Sequence, residues 1–231
     1  VVDEAFIALM KSAYSTNIKE RHDHSCAIVD RTGRLVTQAA NSIPVHIASV
    51  LGQMQAIFKK FPLDEITEGD IFAANAPHEG GGTHLPDVSL AMPVFADGQL
   101  LGFVCNIAHH ADIGGMSPGS MAGGMKDIYQ EGLRIPVVKL FRKGKLDQDI
   151  FDILLLNVRV REERRGDYNA QFSALHLAAR RLFEMINKYS GDVIRNVFNE
   201  IIDRTYERML SAITLIPDGV YRFEDVMDDD G

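Results

Sequence analysis

The residues from His84 to Asp112 read HLPDVSLAMPVFADGQLLGFVCNIAHHAD, and this stretch decides the fold. Val88 to Phe95 and Leu100 to Ala108 are apolar runs of strand length, separated by the turn Ala96-Asp97-Gly98-Gln99 with glycine at a permissive position. They are expected to pair as an antiparallel hairpin. Val88 then lies beside Ala108, so two His-x-x-Asp segments, His84-Leu85-Pro86-Asp87 and His109-His110-Ala111-Asp112, arrive at one edge of the sheet.

Upstream of the hairpin, Val2, Ala5, Phe6, Leu9, Met10 and Ala13 recur at helical spacing within residues 1–14. Ser25 to Val29 and Leu35 to Ala39 read as strands around Asp30-Arg31-Thr32-Gly33. Pro44 opens a helix to about Phe61, and Ile71 to Ala74 is a short strand before the loop that carries Gly80 to Gly82. Downstream, Asp112 to Gly124 is a long glycine-rich loop, of the kind that is usually functional in a compact domain. Helical spacing then governs Ile150 to Val158, Tyr168 to Tyr189 and Asp192 to Leu215. The expected class is α+β, with a mixed, mostly antiparallel sheet and a long-helix C-terminal half. Its regions are a mixed metal-site region over 1–145, a helical region over 146–216 packed on it, and the start of a further strand segment over 217–231. Asp218 to Phe223 is the turn and strand of that last segment, and the chain is expected to be the opening part of a longer subunit.

A length of 231 residues suffices to bury a sizeable core, and 24% charged residues is ordinary globular composition. A net charge of −8 with no basic stripe argues against nucleic acid as a partner. No apolar stretch reaches the roughly 18 residues that cross a bilayer. The two cysteines, Cys26 and Cys105, both sit in strand-like runs, which fits a reducing, cytoplasmic setting better than a disulfide scaffold.

A catalytic metal site wants about three protein ligands and an open position for water or substrate. His84, Asp87 and His109 meet that need, and two imidazoles with a carboxylate suit zinc or manganese, or iron, rather than calcium or magnesium. Asp112 is a candidate fourth ligand, partner to an imidazole, or proton acceptor. His110 is a further catalytic candidate. Glu20-Arg21-His22-Asp23-His24 is the next dense cluster, with Asp23 or His24 a candidate general base and a solvated turn the plainer reading. Other matches fail on context. Gly115-Met116-Ser117-Pro118-Gly119 fits the nucleophile-elbow pattern but lacks the strand before it and the helix after it. The triple glycine is followed by no Gly-Lys-Ser/Thr, and no dinucleotide fingerprint occurs, so any ATP is expected on another polypeptide. His176 falls among helical core positions.

Four segments together carry a resemblance: Asn17 to Arg21 with Asp23, Gly81 to Asp87, His109 to Gly115, and Gln130 to Pro136. In this order they resemble the hydantoinase B family, which includes the B half of 5-oxoprolinase, N-methylhydantoinase, and the related acetone and acetophenone carboxylase subunits. The resemblance runs through essentially the whole chain and covers the amino-terminal part of a typical member. It implies a hydantoinase A-type, actin-fold ATPase partner that binds ATP and phosphorylates the substrate, and the remainder of the B subunit as a further partner. The B subunit then opens a cyclic amide or, in the carboxylase relatives, carboxylates a ketone. It also implies a metal on the positions of His84, Asp87 and His109. Glu131 and Arg134, with His24, are candidate substrate-binding residues, and loop 114–124 is a candidate lid. One departure is Asn75-Ala76-Pro77-His78, where the family usually reads Asn-Asp-Pro-Tyr. A non-catalytic assembly subunit with a structural metal is the reading from another class.

Overall fold

In the computed structural model, which describes residues 1–226, the hairpin is the centre of a seven-stranded sheet. The strands are β1 (His24–Asp30), β2 (Leu35–Gln38), β3 (Ile71–Ala74), β4 (Asp87–Ala96), β5 (Gln99–His109), β6 (Val138–Arg142) and β7 (Lys145–Leu146). Their order is β2-β1-β5-β4-β3-β6-β7, and every neighbouring pair is antiparallel. The helices are α1 (Val2–Ser12), α2 (Thr16–Lys19), α3 (Pro44–Lys60), α4 (Gln148–Leu156), α5 (Arg161–Tyr189) and α6 (Gly191–Ile213). The architecture is therefore α+β, as the sequence predicts.

Strand alternation divides the molecule into two layers of packing. Ala91 of β4 and Phe103, Cys105 and Ile107 of β5 pack with Val50, Met54 and Ile57 of α3. Leu90 and Val104, from the same strands, turn the other way into a larger core with Phe6 and Leu9 of α1 and Phe172, Leu175 and Ala179 of α5. The same period of two puts Ser25, Asp87, Ser89 and His109 on the α3 side. His24, Asn106 and His110 fall on the α5 side. This sorting decides which polar residues can meet.

Two elements differ from the sequence expectation, for the same physical reason. The helix expected from Tyr168 begins seven residues earlier, at Arg161. Its first turns are charged, but Arg164 and Asp167 are buried against each other at 3.0 Å, and Asp167 accepts the backbone N–H groups of Tyr14 and Ser15. Gly166 lets the helix approach there, because a Cβ would lie 2.3 Å from the Tyr14 ring. Strand β6, which no alternation announces, carries Lys139 in a buried pair with Asp70 at 2.8 Å. Buried ion pairs replace the apolar pattern in both places. The stretch 217–226, expected to begin a strand, has no strand pairing, and 227–231 lies outside the described residues.

Cys26 and Cys105 are both free and buried, on opposite faces of the sheet, so they cannot bridge. Burial pushes both thiols well above the ordinary range. Iodoacetamide is therefore expected to leave both unmodified in the native protein and to label both in denaturant, read by mass spectrometry. Native labelling at the rate of a free thiol would contradict this packing. Among the described residues no helix is long and apolar enough to cross a membrane.

Candidate metal centre

The hairpin register places Asp87, the first residue of β4, directly opposite His109, the last of β5. On the other side of β5, the His109 N–H donates to the Asp23 carbonyl at 3.0 Å, which brings the Asp23 side chain beside the His109 ring. His84 comes from the loop before β4. That loop is clamped by the buried Asn75, whose side chain donates to Leu85 and Leu133 carbonyls and accepts the Ile135 N–H. Gly80 (φ 85°) turns it against α3, where a Cβ would meet the Gly52 carbonyl at 2.5 Å.

His84 Nε2 lies 3.0 Å and His109 Nδ1 3.3 Å from the same Asp87 oxygen, Oδ1, and Asp23 Oδ2 lies 3.5 Å from His109 Nδ1. Ligand atoms about 2.1 Å from one ion at tetrahedral or octahedral angles are separated by about 3.0–3.4 Å, and these separations are close to that spacing. Asp87 Oδ1 is buried and accepts no aligned hydrogen bond, an orphaned acceptor that a cation would satisfy. Two imidazoles and one or two carboxylates, with no thiolate, fit zinc, manganese or iron.

Electrostatics point the same way. Burial would push Asp87 up, but His109, His46, His84 and Thr83 around it hold its carboxyl well below the usual range. The contact with Asp87 raises His84 in turn, against the opposing effect of burial. Asp87 is 2% exposed, whereas the side chains of His84 and Asp23 remain 38% and 33% exposed. The cluster is buried on its protein side and open on the other. Beside it lies a cavity of about 440 Å³, lined by His84, Pro86, Ser120, Met121, Met125 and Glu131 among others.

The remaining candidates are distributed as the fold dictates. Glu131 lines that cavity. Arg134 instead pairs with Glu79 at 3.4 Å, stacks over Tyr129 and lines a neighbouring cavity. His24 lies on the opposite face of the sheet, stacked on Phe6, and burial lowers its pKa to about 4. His110 is also on that face, its Nε2 paired with Gln171 at 2.9 Å, and burial lowers it to about 4. Asp112 is surrounded by the N–H groups of Gly114, Gly119 and Arg159 and by the Arg159 guanidinium, which leaves neither oxygen free. The structure brings neither His110 nor Asp112 into the cluster.

It brings in His46 instead, with Thr83. His46 Nε2 lies 3.5 Å from Asp87 Oδ2 and 3.7 Å from Asp23 Oδ1, and Thr83 Oγ1 donates to Asp87 Oδ2. The sequence holds one signal for it: His46 shares the helical stripe of Val50, Met54 and Ile57, on a buried face that also carries Ser49 and Gln53.

Residues 1–231 match the family described as Hydantoinase B/oxoprolinase. The chain is 34% identical to the caprolactamase subunit beta of Pseudomonas jessenii over 99% of its own length and 39% of the relative's. It is also 34% identical to the 5-oxoprolinase of Dictyostelium discoideum, over 80% of this chain and 14% of that one. The crystal structure of the ATP-dependent caprolactamase from Pseudomonas jessenii superposes with a TM-score of 0.92 over the whole chain and 39% of that one. Nucleotide-free acetone carboxylase shares the fold, with a TM-score of 0.78 at 21% identity over 87% of this chain and 26% of that one. The chain thus spans about two fifths of the caprolactamase subunit it matches. On the family match over its full length, the chain belongs to the hydantoinase B/oxoprolinase family.

Proposed function

We propose that this chain is the metal-bearing part of a B-type subunit that completes the ATP-dependent opening of a cyclic amide. The observation that carries the proposal is the buried Asp87 Oδ1 between two imidazole nitrogens, beside a cavity of small-molecule size. His84, Asp87 and His109 would hold the ion. Asp23, first considered as a proton acceptor, lies at ligand distance from His109 and is assigned as the fourth donor.

Amide opening is slow because the carbonyl is a weak electrophile and nitrogen a poor leaving group, so phosphorylation of the oxygen by a partner ATPase subunit would activate the carbon. A bound divalent ion would lower the pKa of a water from near 16 towards about 7. Glu131, on the cavity wall, would bind the ring amide, and Met121 and Met125 would cover the ring's apolar carbons. Relatives named caprolactamase and 5-oxoprolinase support a lactam as substrate. A hetero-oligomer with the ATPase partner follows, and ATP dependence with two unpaired thiols fits the cytoplasm.

The test is a reconstitution of the full-length subunit with its ATPase partner, given ATP, lactams or hydantoins, and 14C-bicarbonate. Unlabelled ring-opened amino acid formed with ADP, and lost after chelation, supports the proposal. Label incorporated into an acid from a ketone, with lactams untouched, would replace it with a carboxylase.

A further inference from the structure

His46 touches the outer side of the cluster. Its side chain is 2% exposed, with Nδ1 2.9 Å from Ser25 Oγ. Ser25 Oγ already accepts the Ile43 N–H at 2.9 Å, and among the described residues His46 is the other partner of that hydroxyl. A hydroxyl has one proton to give and two lone pairs, and the arrangement that leaves no buried proton unpaired has Ser25 donating to His46 Nδ1. In that arrangement the imidazole proton is on Nε2, the nitrogen that faces Asp87 Oδ2 and Asp23 Oδ1. A nitrogen that carries a proton has no lone pair for an ion.

The division of Asp87 agrees. Oδ2 takes the Thr83 hydroxyl and faces His46, whereas Oδ1 accepts no hydrogen bond and faces His84 and His109. An ion between His46, Asp87 Oδ2 and Asp23 Oδ1 would have to reverse the Ser25 bond and compete with Thr83. We infer that His46 is a positioning residue that turns Asp87 and Asp23 so that each presents one oxygen to a single ion, and that it binds no second ion. The distances of 3.5 and 3.7 Å are long for hydrogen bonds, so the link is an attraction between a polarised N–H and two carboxylates. The inference rests on the metal reading above.

Metal content by mass spectrometry and affinity by chelator competition test it on the full-length subunit. Wild type is expected to hold one ion per chain. His46→Ala should still hold one, about 10- to 100-fold more weakly, as for other residues that orient ligands. His46→Gln keeps an N–H donor and is expected to recover most of that affinity. Ser25→Ala leaves the helix face intact, frees the imidazole to change tautomer, and should weaken binding by several-fold; it covers the case in which His46→Ala does not fold. Two ions in wild type, one of them lost in both His46 variants, would overturn the inference and leave the metal reading standing. Unchanged affinity in His46→Ala and Ser25→Ala would also overturn it. A wild-type chain that binds no added zinc or manganese would instead sink the metal reading, and the inference with it.

Discussion

Replacing His84 with alanine is expected to remove the ion and to lower turnover by about a thousandfold or more, with little loss of fold. Its side chain is 38% exposed, and the loop that carries it is held by Asn75 and by the turn at Gly80 rather than by the imidazole. What the substitution takes away is one of two nitrogen donors, the one on the cavity side. A single imidazole and two carboxylates form a poor site for a borderline ion, and at about 1.4 kcal/mol per factor of ten a thousandfold loss needs only about 4 kcal/mol. Metal analysis of the purified variant, its melting temperature and its steady-state rate with the partner subunit check the three parts separately. Full activity with normal metal content would end the metal-centre reading. Asp87→Asn is expected to be at least as severe for metal. It also removes the charge that draws three imidazoles together, so it should cost stability where His84→Ala does not.

Much of this centre is legible in the sequence because local rules place it. A turn at Asp97-Gly98 starts the hairpin, a one-residue register shift between Val94 and Phe95 follows, and the shifted register sets Asp87 against His109. Alternation then separates neighbours: Asp23 leads into β1 two residues before Ser25, on the α3 side, while His24 and His110 fall to the other face. Adjacency in sequence makes His109-His110 look like a pair, and the period of two makes it impossible. His46 is not legible in this way, since no rule of spacing tells which sheet face a helix covers or at which height. The same limit hides β6 and the first turns of α5, where Lys139–Asp70 and Arg164–Asp167 satisfy each other in the interior. A pattern of hydrophobic residues cannot announce a core contact made by charge.

Arg159→Ala is expected to lower kcat/KM for the reconstituted enzyme by about 30- to 100-fold, mainly through KM, with metal content unchanged. One guanidinium holds the glycine-rich loop: Nη1 donates to Asp112 Oδ2 at 3.1 Å and to the Gly114 and Ser117 carbonyls, and Nη2 to the Gly115 carbonyl at 2.9 Å. Those contacts add to the loop's own ties, chiefly the Ser120 hydroxyl between the Ile113 N–H and the Gly114 carbonyl, in a glycine-rich backbone where φ is positive at Gly114, Gly115, Gly119, Ser120 and Gly124. Beyond the held segment, Ser120 to Gly123 and Met125 form the cavity wall facing His84. Without the arginine, the loop must be ordered at the moment of binding, and ordering costs on the order of 1 kcal/mol per residue fixed. Two or three residues account for the expected loss. Asp112, held below the usual carboxylate range against its burial by the Arg159, Gly114 and Gly119 N–H groups and by the Arg159 side chain, belongs to the same latch. Asp112→Asn is therefore expected to resemble Arg159→Ala in KM and in faster proteolytic cleavage within 114–124, whereas a proton acceptor would lose kcat at unchanged KM. Arg159→Lys, a point charge that cannot span four acceptors, should fall between. If Arg159→Ala leaves both KM and the cleavage rate at wild-type values, the loop keeps its shape without the arginine and the latch is not what orders the wall.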